Sequence, residues 1–329
     1  MEDYFVPDQD ELEKYLNTKK GLIKSFLFFR NLSFIKPFFK YNKNYKNIEE
    51  YCFKIMQKFV YKNKITNYFH KENYKSIEEN FLVNQENIKI NYLKICSNVK
   101  SKNNKKWVVL THGINSNKFS SFSYSALYIN KGYNVLVYDL IDHGKSDKGI
   151  VSFGAYEKKD LKNIVDFLID SEDVSEIILH GMSMGSFITG QFLHDYYQEY
   201  VNIISKVIID STYDTLQRLV FKMIKDLKND PYQSYFAIQN LFLTKYGFDI
   251  DDVVPFYDTK SIKDLPILFL NGANDKIIPL EKTRIAFENK VRNEREILSS
   301  FVVYNAAHIK GLKKDHTFFL KTIYDFLNI

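Results

Sequence analysis

Cysteine, proline, glycine and arginine are scarce in this 329-residue chain, and each scarcity excludes a class of protein. The two cysteines, Cys52 and Cys96, form no CxxC pair, which excludes a disulfide framework and a cysteine-ligated zinc site. Twelve glycines and six prolines are too few for a collagen-like or Pro/Gly-rich disordered chain. Two separate thiols suit a reducing compartment or the absence of any redox role.

Long apolar runs are also missing. The most apolar stretch, Gly21–Phe39, is interrupted by Lys24, Arg30 and Lys36. A spanning helix needs about 18 or more consecutive apolar residues, so none is expected, although an interfacial helix stays open. The first residues are acidic where a secretory signal would be basic. The sequence therefore predicts a cytoplasmic protein.

Positive charge is concentrated near the N-terminus. Residues 19–69 carry twelve basic and two acidic side chains together with fourteen aromatic ones. We expect helices here that pack partly on the body of the protein and partly contact an anionic membrane surface, at the inner face of the membrane. The codon bias of an AT-rich genome would also account for the abundance of lysine. Because readout of phosphate and guanine favours arginine, of which the chain has five, no nucleic-acid partner is expected.

The hydrophobic pattern changes near residue 76. Residues 1–75 show helical spacing and are predicted to form a basic, aromatic N-terminal extension. Beyond them, eight short apolar runs alternate with helical patterns, which predicts an α/β domain over residues 76–329 with a mostly parallel sheet and helices on both faces. The predicted strands are Phe81–Val83, Ile88–Ile95, Trp107–Thr111, Tyr133–Tyr138, Glu176–His180, Lys206–Asp210, Pro266–Asn271 and Ser299–Tyr304. The predicted helices are Phe119–Lys131, Tyr156–Ile169, Ser183–Tyr197, Leu280–Val291 and Leu312–Leu327.

One interval breaks this rhythm. Residues 212–262 separate two predicted strands and are too long for a single crossover. They contain two helical patterns, Leu216–Leu227 and Tyr232–Tyr246. The interval is predicted to be a small helical cap over the carboxyl edge of the sheet, where such folds bind ligands.

The strongest motif is Gly181-Met182-Ser183-Met184-Gly185, which follows a predicted strand directly and opens a predicted helix. This is the pattern of a nucleophile elbow, in which a sharp turn presents the serine hydroxyl at a helix N-terminus. The alternative is a glycine-rich turn with an incidental serine. The motif predicts Ser183 as a nucleophile.

A serine nucleophile needs a base, and the base needs an orienting acid. Asp275 follows one late strand and His308 follows the next, in the order that this architecture uses. Asp210, which ends an earlier strand, is the alternative acid. His316 is a poorer base because it lies inside the last helical pattern. A turn-forming aspartate and a solvated loop histidine are the structural alternatives.

The oxyanion of an acyl-transfer reaction needs two backbone N–H donors. One donor is predicted to be the N–H of Met184, directly after the nucleophile. The second is predicted in the loop after strand Trp107–Thr111, which contains Gly113, and the Ile114 N–H is the candidate. A plain turn is the alternative for this loop.

These motifs together resemble the α/β-hydrolase superfamily over about three-quarters of the chain, and within it the prolyl-aminopeptidase-like and monoacylglycerol-lipase-like serine hydrolases. The matching segments are His112-Gly113, Asp139 to Ser146, Gly181 to Gly185, Gly272 to Pro279 and His308. The resemblance implies the α/β-hydrolase fold, no metal and no organic cofactor. It also implies structural rather than catalytic roles for Asp139 and His143. Asp142 departs from the family pattern, which has glycine there.

The function that these residues favour is a serine hydrolase that cleaves a small-molecule carboxylic ester or thioester, including lipid-derived ones, through an acyl-enzyme. A prolyl-type aminopeptidase and an acyltransferase are alternatives on the same triad. Asp249, Asp251 and Asp252 could bind the free amine of a peptidase substrate. Hydrolysis and acyl transfer differ only in the acceptor.

A different class of function is a membrane-surface or nucleic-acid binding module that uses residues 19–69. A pure nucleic-acid binder would leave the Ser, Asp and His residues unexplained. A third class is an inactive family member that serves as a receptor or scaffold. Such proteins commonly lose a triad position, and none is missing from this sequence.

Overall fold

Eight strands alternate with helices along the chain. The structure is a computed structural model, and it describes residues 45–65, 67–84, 86–226 and 231–329. The strands are β1 (Tyr74–Val83), β2 (Lys89–Ser97), β3 (Lys106–Thr111), β4 (Asn134–Tyr138), β5 (Glu176–Met182), β6 (Ile204–Asp210), β7 (Ile267–Gly272) and β8 (Ser300–Tyr304).

The strands form one sheet in the order β1-β2-β4-β3-β5-β6-β7-β8. β2 pairs antiparallel with both β1 and β4, and the remaining pairs are parallel. The predicted mostly parallel eight-stranded sheet is therefore confirmed. Because β3, β5, β6, β7 and β8 run in one direction, the residues that follow them meet at the same edge of the sheet.

Nine α-helices lie in the described part of the chain. They are α1 (Ile48–Asn63), α2 (Lys118–Ile129), α3 (Glu157–Ser171), α4 (Met184–Tyr196), α5 (Leu216–Asp226), α6 (Pro231–Leu241), α7 (Leu280–Arg292), α8 (Gly311–Lys314) and α9 (His316–Leu327). The last predicted helix, Leu312–Leu327, is in fact two, because the helix breaks at Asp315. The first predicted strand, Phe81–Val83, was too short, because β1 begins at Tyr74. The additional residues are largely polar, and their pairing with β2 stabilises them in the strand.

Two hydrophobic clusters cover the two faces of the sheet. On β3 the side chains alternate between them, with Val108 and Leu110 in one cluster and Trp107 and Val109 in the other. The first cluster includes residues of α1, α2 and α9, and the second includes residues of α3, α4 and α7. Burial on both faces explains why the central strands consist almost entirely of branched apolar residues.

The described part of the predicted N-terminal extension packs into the first cluster. In α1 the side chains of Cys52, Phe53 and Met56 are buried against residues of the sheet and of α2. Residues 1–44, including the apolar stretch Gly21–Phe39, lie outside the described residues. Among the helices that the structure describes, none combines the length and the apolar character needed to cross a bilayer.

Residues 215–253 belong to a different compact unit from the one that contains the sheet. They contain α5, α6 and a π-helical turn at Phe242–Tyr246. Asp251 accepts hydrogen bonds from Tyr235 and, at 3.1 and 3.0 Å, from Gln217 and Gln239, so one carboxylate ties the turn Ile250–Asp252 to both helices of this unit.

Candidate active site

The chain turns sharply between β5 and α4. Ser183 occupies the N-cap position of α4 with φ 56° and ψ −121°, a backbone conformation that non-glycine residues rarely adopt. A Cβ atom at Gly185 would lie 2.1 Å from the Thr111 carbonyl oxygen, and one at Gly181 would lie 2.6 Å from the Gly185 carbonyl oxygen. The two glycines are therefore required by the close approach of neighbouring backbone, and the strained turn places the Ser183 hydroxyl at the start of a helix.

Three side chains from separate loops meet at this turn. His308, four residues beyond β8, has its Nε2 atom 2.9 Å from Ser183 Oγ. Its other ring nitrogen, Nδ1, lies 2.7 Å from Oδ2 of Asp275, which follows β7. The structure thus brings together the three residues that the sequence predicted for a catalytic triad, although they span 126 positions of the chain from 183 to 308.

The surroundings of Asp275 fix the hydrogen positions in this group. Burial opposes ionisation of the carboxyl, but the hydrogen bond and charge of His308, with donation from the Ile277 and Ile278 N–H groups, hold the pKa of Asp275 below its usual range. An ionised carboxylate only accepts hydrogen bonds, so His308 Nδ1 carries the proton that faces it. Nε2 then has a lone pair directed at Ser183 Oγ, and such an arrangement can remove the hydroxyl proton.

Asp210, the alternative acid, does not contact His308. Its side chain is fully buried, and Oδ1 accepts a 2.8 Å hydrogen bond from the Tyr304 hydroxyl. Burial, together with the nearby charge of Asp275, raises the pKa of Asp210 to about 7. Its backbone carbonyl accepts the N–H of Ser183 at 2.9 Å. Asp210 therefore lies beneath the turn that carries Ser183.

The sequence did not reveal Ser211 as part of this site. The Ser211 hydroxyl donates to Oδ2 of Asp275 at 3.0 Å, the oxygen that also faces His308. Ser211 has a φ of 63°, in the left-handed region that non-glycine residues rarely adopt. The only signal in the sequence is a hydroxyl residue directly after a strand, and many serines satisfy that condition.

Met184 and Ile114, the residues predicted to donate to an oxyanion, belong to two segments that lie next to Ser183. Met184 is the first residue of α4, so its N–H has no acceptor within the helix. The loop containing Ile114 lies close on the other side, because a Cβ atom at Gly113 would be 2.9 Å from Ser183 Cβ. Over the described residues, neither Met184 nor Ile114 donates its N–H to another group of the chain.

His112 holds the peptide group that contains the Ile114 N–H. Its Nε2 atom accepts the Leu140 N–H at 3.1 Å, so Nδ1 carries the proton and donates to the Gly113 carbonyl at 2.7 Å. Burial, and secondarily the His143 ring, lowers the pKa of His112 to about 3, which keeps the ring neutral. Because the Gly113 carbonyl and the Ile114 N–H belong to one planar peptide, fixing the first fixes the second.

The loop after β4 has structural contacts. Asp139 accepts from the Lys118 ammonium and the Lys118 N–H, both at 2.7 Å, and both side chains are fully buried. His143 Nε2 accepts the Asn115 N–H at 3.3 Å. Asp142 has a φ of 60°, in the left-handed region that explains the glycine of the family pattern and that aspartate tolerates. None of these side chains contacts Ser183, His308 or Asp275 through a hydrogen bond in the described chain.

Across residues 45–65, 67–84, 86–226 and 231–329, no three His, Cys, Asp or Glu side chains form a group that could hold a metal ion.

The middle of the chain is similar to a known family of proteins. Residues 106–252 match the family model described as the alpha/beta hydrolase fold. An uncharacterised protein of Bacillus subtilis, YqkD, is 26% identical over 227 residues, which cover 67% of this chain and 70% of that protein.

Solved structures give the same fold. The esterase Pf2001 of Pyrococcus furiosus superposes with a TM-score of 0.60 at 22% identity, covering 77% of this chain and 91% of the esterase. The esterase EaEST of Exiguobacterium antarcticum superposes with a TM-score of 0.53 at 19% identity, covering 77% of this chain and 100% of that one. At these identities the similarity establishes the fold.

Proposed function

The chain has the α/β-hydrolase fold, and from that premise we propose that it is a serine hydrolase that cleaves a carboxylic ester or thioester through an acyl-enzyme. The observation that carries this proposal is the pair of contacts made by the His308 ring, at 2.9 Å to Ser183 Oγ and at 2.7 Å to Asp275 Oδ2. The esterase activity named for two proteins of the same fold supports it.

In the first half of the reaction, Ser183 Oγ attacks the carbonyl carbon of the substrate while its proton moves to His308 Nε2. The N–H groups of Met184 and Ile114 stabilise the oxyanion. The carbon–oxygen or carbon–sulfur bond to the leaving group then breaks, and the leaving group takes the proton from His308.

In the second half, water gives a proton to His308 and attacks the acyl carbon, which releases the acid and restores Ser183. Asp275 keeps the imidazole in one tautomer throughout and stabilises its cationic form. The lowered pKa of Asp275 supports this role, because it keeps the carboxylate ionised at neutral pH.

The contacts within residues 215–253 favour an ester over an aminopeptidase substrate. Asp249 and Asp251 are two of the carboxylates that could bind a substrate amine. Asp249 instead accepts from Gln239 at 2.9 Å, and Asp251 accepts from Tyr235, Gln217 and Gln239. Carboxylates already satisfied by neutral donors of their own unit are poor partners for an incoming ammonium group.

The decisive experiment compares the wild-type protein with Ser183→Ala. We expect a fluorophosphonate probe to label the wild type and not the variant. Hydrolysis of p-nitrophenyl esters should fall in kcat by roughly 10⁴-fold or more, the scale of losing a triad serine. The fold should survive, since the change removes one hydroxyl group.

Ser171→Ala is the matched control, because Ser171 is exposed at the end of α3 and its hydroxyl donates only to the Phe167 carbonyl. It should label and hydrolyse as the wild type does. Full labelling of Ser183→Ala would refute the assignment of the nucleophile. Release of proline p-nitroanilide at a higher kcat/KM than any ester would favour the aminopeptidase. A marked rate increase on adding an alcohol acceptor, with ester as product, would favour acyl transfer.

A further inference from the structure

An open groove of about 640 Å³ lies beside the C-terminal half of α1. Its walls include the apolar side chains of Val60, Tyr61, Ile65 and Phe69, with Lys62 and Lys64 at the same surface. Tyr61 is 88% exposed, whereas Cys52, Phe53 and Met56 on the same helix are buried. The helix thus packs one face into the protein and leaves an aromatic ring in solvent at the groove.

A cluster of lysines adjoins the groove. Lys62 belongs to α1, while Lys310 and Lys313 belong to the segment that follows His308. Burial, followed by the charges of Lys310 and Lys62, lowers the pKa of Lys313 to about 8, so Lys62 and Lys310 both lie near Lys313. The Lys313 ammonium lies 5.5 Å from the Phe59 ring.

Among the described residues, no carboxylate pairs with these lysines. In the part of the chain that the structure describes, Lys62, Lys310 and Lys313 take part in no ion pair, whereas Lys54 on the same helix pairs with Glu50 at 2.6 Å. Like charges held together without a counter-charge cost free energy in the folded protein. An anionic partner would remove that cost, so the cluster has the charge complementary to such a partner.

We infer that this surface, which we call the lysine groove (Val60, Tyr61, Ile65, Phe69, Lys62, Lys310 and Lys313), binds the face of a bilayer that contains anionic phospholipid. The lysines would contact phosphate groups, and Tyr61 with the apolar groove would enter the region between headgroups and acyl chains. The inference stands apart from the proposed function, because it rests on charge and exposure outside the Ser183 site.

Two observations favour a bilayer over a nucleic acid. The groove walls are partly aliphatic, because Val60 and Ile65 line them beside the rings of Tyr61 and Phe69, and only the rings could stack on a base. The cations are all lysines, which bind phosphate as point charges, whereas bidentate recognition of bases and phosphates favours arginine. The lysine groove is smaller than the basic segment 19–69 that the sequence predicted to contact a membrane. It also includes Lys310 and Lys313, which lie outside that segment.

The test is co-sedimentation of the full-length protein with vesicles of phosphatidylcholine alone and of phosphatidylcholine mixed with phosphatidylserine. The wild type should bind the mixed vesicles, bind the neutral ones weakly, and be released by high salt. Each lysine near an anionic surface contributes about 1 kcal/mol, a factor of about five in the partition coefficient. The triple variant Lys62→Gln, Lys310→Gln, Lys313→Gln should therefore bind about 100-fold more weakly.

Two further variants separate the lysine groove from net charge and from misfolding. Lys100→Gln, Lys102→Gln, Lys105→Gln removes the same charge from exposed positions before β3 and should change binding little. Lys62→Gln, Lys310→Gln alters only exposed lysines and should still bind at least tenfold more weakly.

Several results would overturn the inference. One is that the wild type does not bind mixed vesicles. Another is that the two triple variants lose the same amount of binding. Binding of single-stranded RNA without vesicle binding, lost in the lysine-groove variant, would assign the surface to a nucleic acid. A dimer in solution that the same variant dissociates would assign it to a second copy of the chain.

Discussion

The Ser211 hydroxyl donates to Oδ2 of Asp275 at 3.0 Å, so this oxygen receives hydrogen bonds from both Ser211 and His308. The second carboxylate oxygen, Oδ1, accepts the Ile277 and Ile278 N–H groups at 2.9 Å each. All four donors come from three different loops. The orientation of the acid, and through it of the imidazole, therefore depends on a residue that takes no part in bond making.

We predict that Ser211→Gly lowers kcat by about ten- to 100-fold and leaves KM nearly unchanged, because one hydrogen bond to a charged group contributes about 1.5 to 3 kcal/mol. Glycine suits the φ of 63° at this position, so the backbone should not rearrange. Steady-state kinetics on a p-nitrophenyl ester checks the effect. A change in KM with kcat unaltered would contradict the positioning role.

Asp210 should make stability depend on pH. A carboxyl group whose pKa in the folded protein is about 7, above the ordinary value, binds its proton more tightly when folded. The unfolded chain releases this proton near pH 4, whereas the folded protein keeps it until about pH 7. The wild type therefore loses stability as pH rises from about 4 to about 7, and the loss is complete above about 7. Asp210→Asn, which stays neutral, should therefore gain stability over the wild type between pH 5 and pH 8, with a limit of about 1.4 kcal/mol for each unit of pKa shift.

Urea unfolding at the two pH values measures this difference. Asp173→Asn is the control, because Asp173 is a surface carboxylate paired with Lys105, with 77% of its side chain exposed. Its effect should be small at both pH values. A gain for Asp210→Asn that is the same at pH 5 and pH 8 would show that the carboxyl does not titrate in this range.

Gly113→Ala should impair catalysis without unfolding the protein. The added Cβ would lie 2.9 Å from Ser183 Cβ, 3.2 Å from the Met182 carbonyl oxygen and 3.4 Å from Ser183 Oγ, so the loop or the serine must shift. A displacement of about 1 Å between reacting groups can cost about 100-fold in rate, and we expect a loss of that order in kcat. Fluorophosphonate labelling should slow in parallel, and wild-type labelling would contradict the close packing of this loop on Ser183.

Lys118→Met should destabilise the fold by about 3 to 5 kcal/mol, because it leaves the buried Asp139 carboxylate without its cation. Burial opposes ionisation of Asp139, but the Lys118 charge holds its pKa below the usual range. The pair's contribution is present above the ordinary pKa of aspartate and is lost as pH falls through the lowered value. The difference in unfolding free energy between the wild type and Lys118→Met should therefore decrease as the pH falls.

Lys105→Met is the matched control for this experiment. Lys105 pairs with Asp173 at 2.6 Å, but the two side chains are 63% and 77% exposed, and exposed pairs contribute about 0 to 1 kcal/mol. Denaturant unfolding at neutral pH compares the two variants. Equal losses of unfolding free energy in the two variants would mean that burial does not account for the contribution of the Lys118–Asp139 pair.

Much of the fold could be predicted because its signals are local. Branched apolar runs separated by amphipathic segments predicted seven of the eight strands to within two residues at each end. The strand that was largely missed, β1, lies at the edge of the sheet and exposes polar residues, so its sequence has no continuous apolar run. The break at Asp315 was missed because both short helices keep the apolar spacing of one longer helix.

The sequence by itself determined the turn at Ser183, because two glycines, a buried strand and a helix are adjacent in the chain. It also determined the order of serine, acid and histidine. Only the tertiary structure decided which acid faces His308, since Asp210 and Asp275 follow neighbouring parallel strands and reach the same edge of the sheet. Asp210 is the last residue of β6 and is buried against Tyr304, whereas Asp275 lies three residues past β7, where the loop turns its carboxylate toward the imidazole.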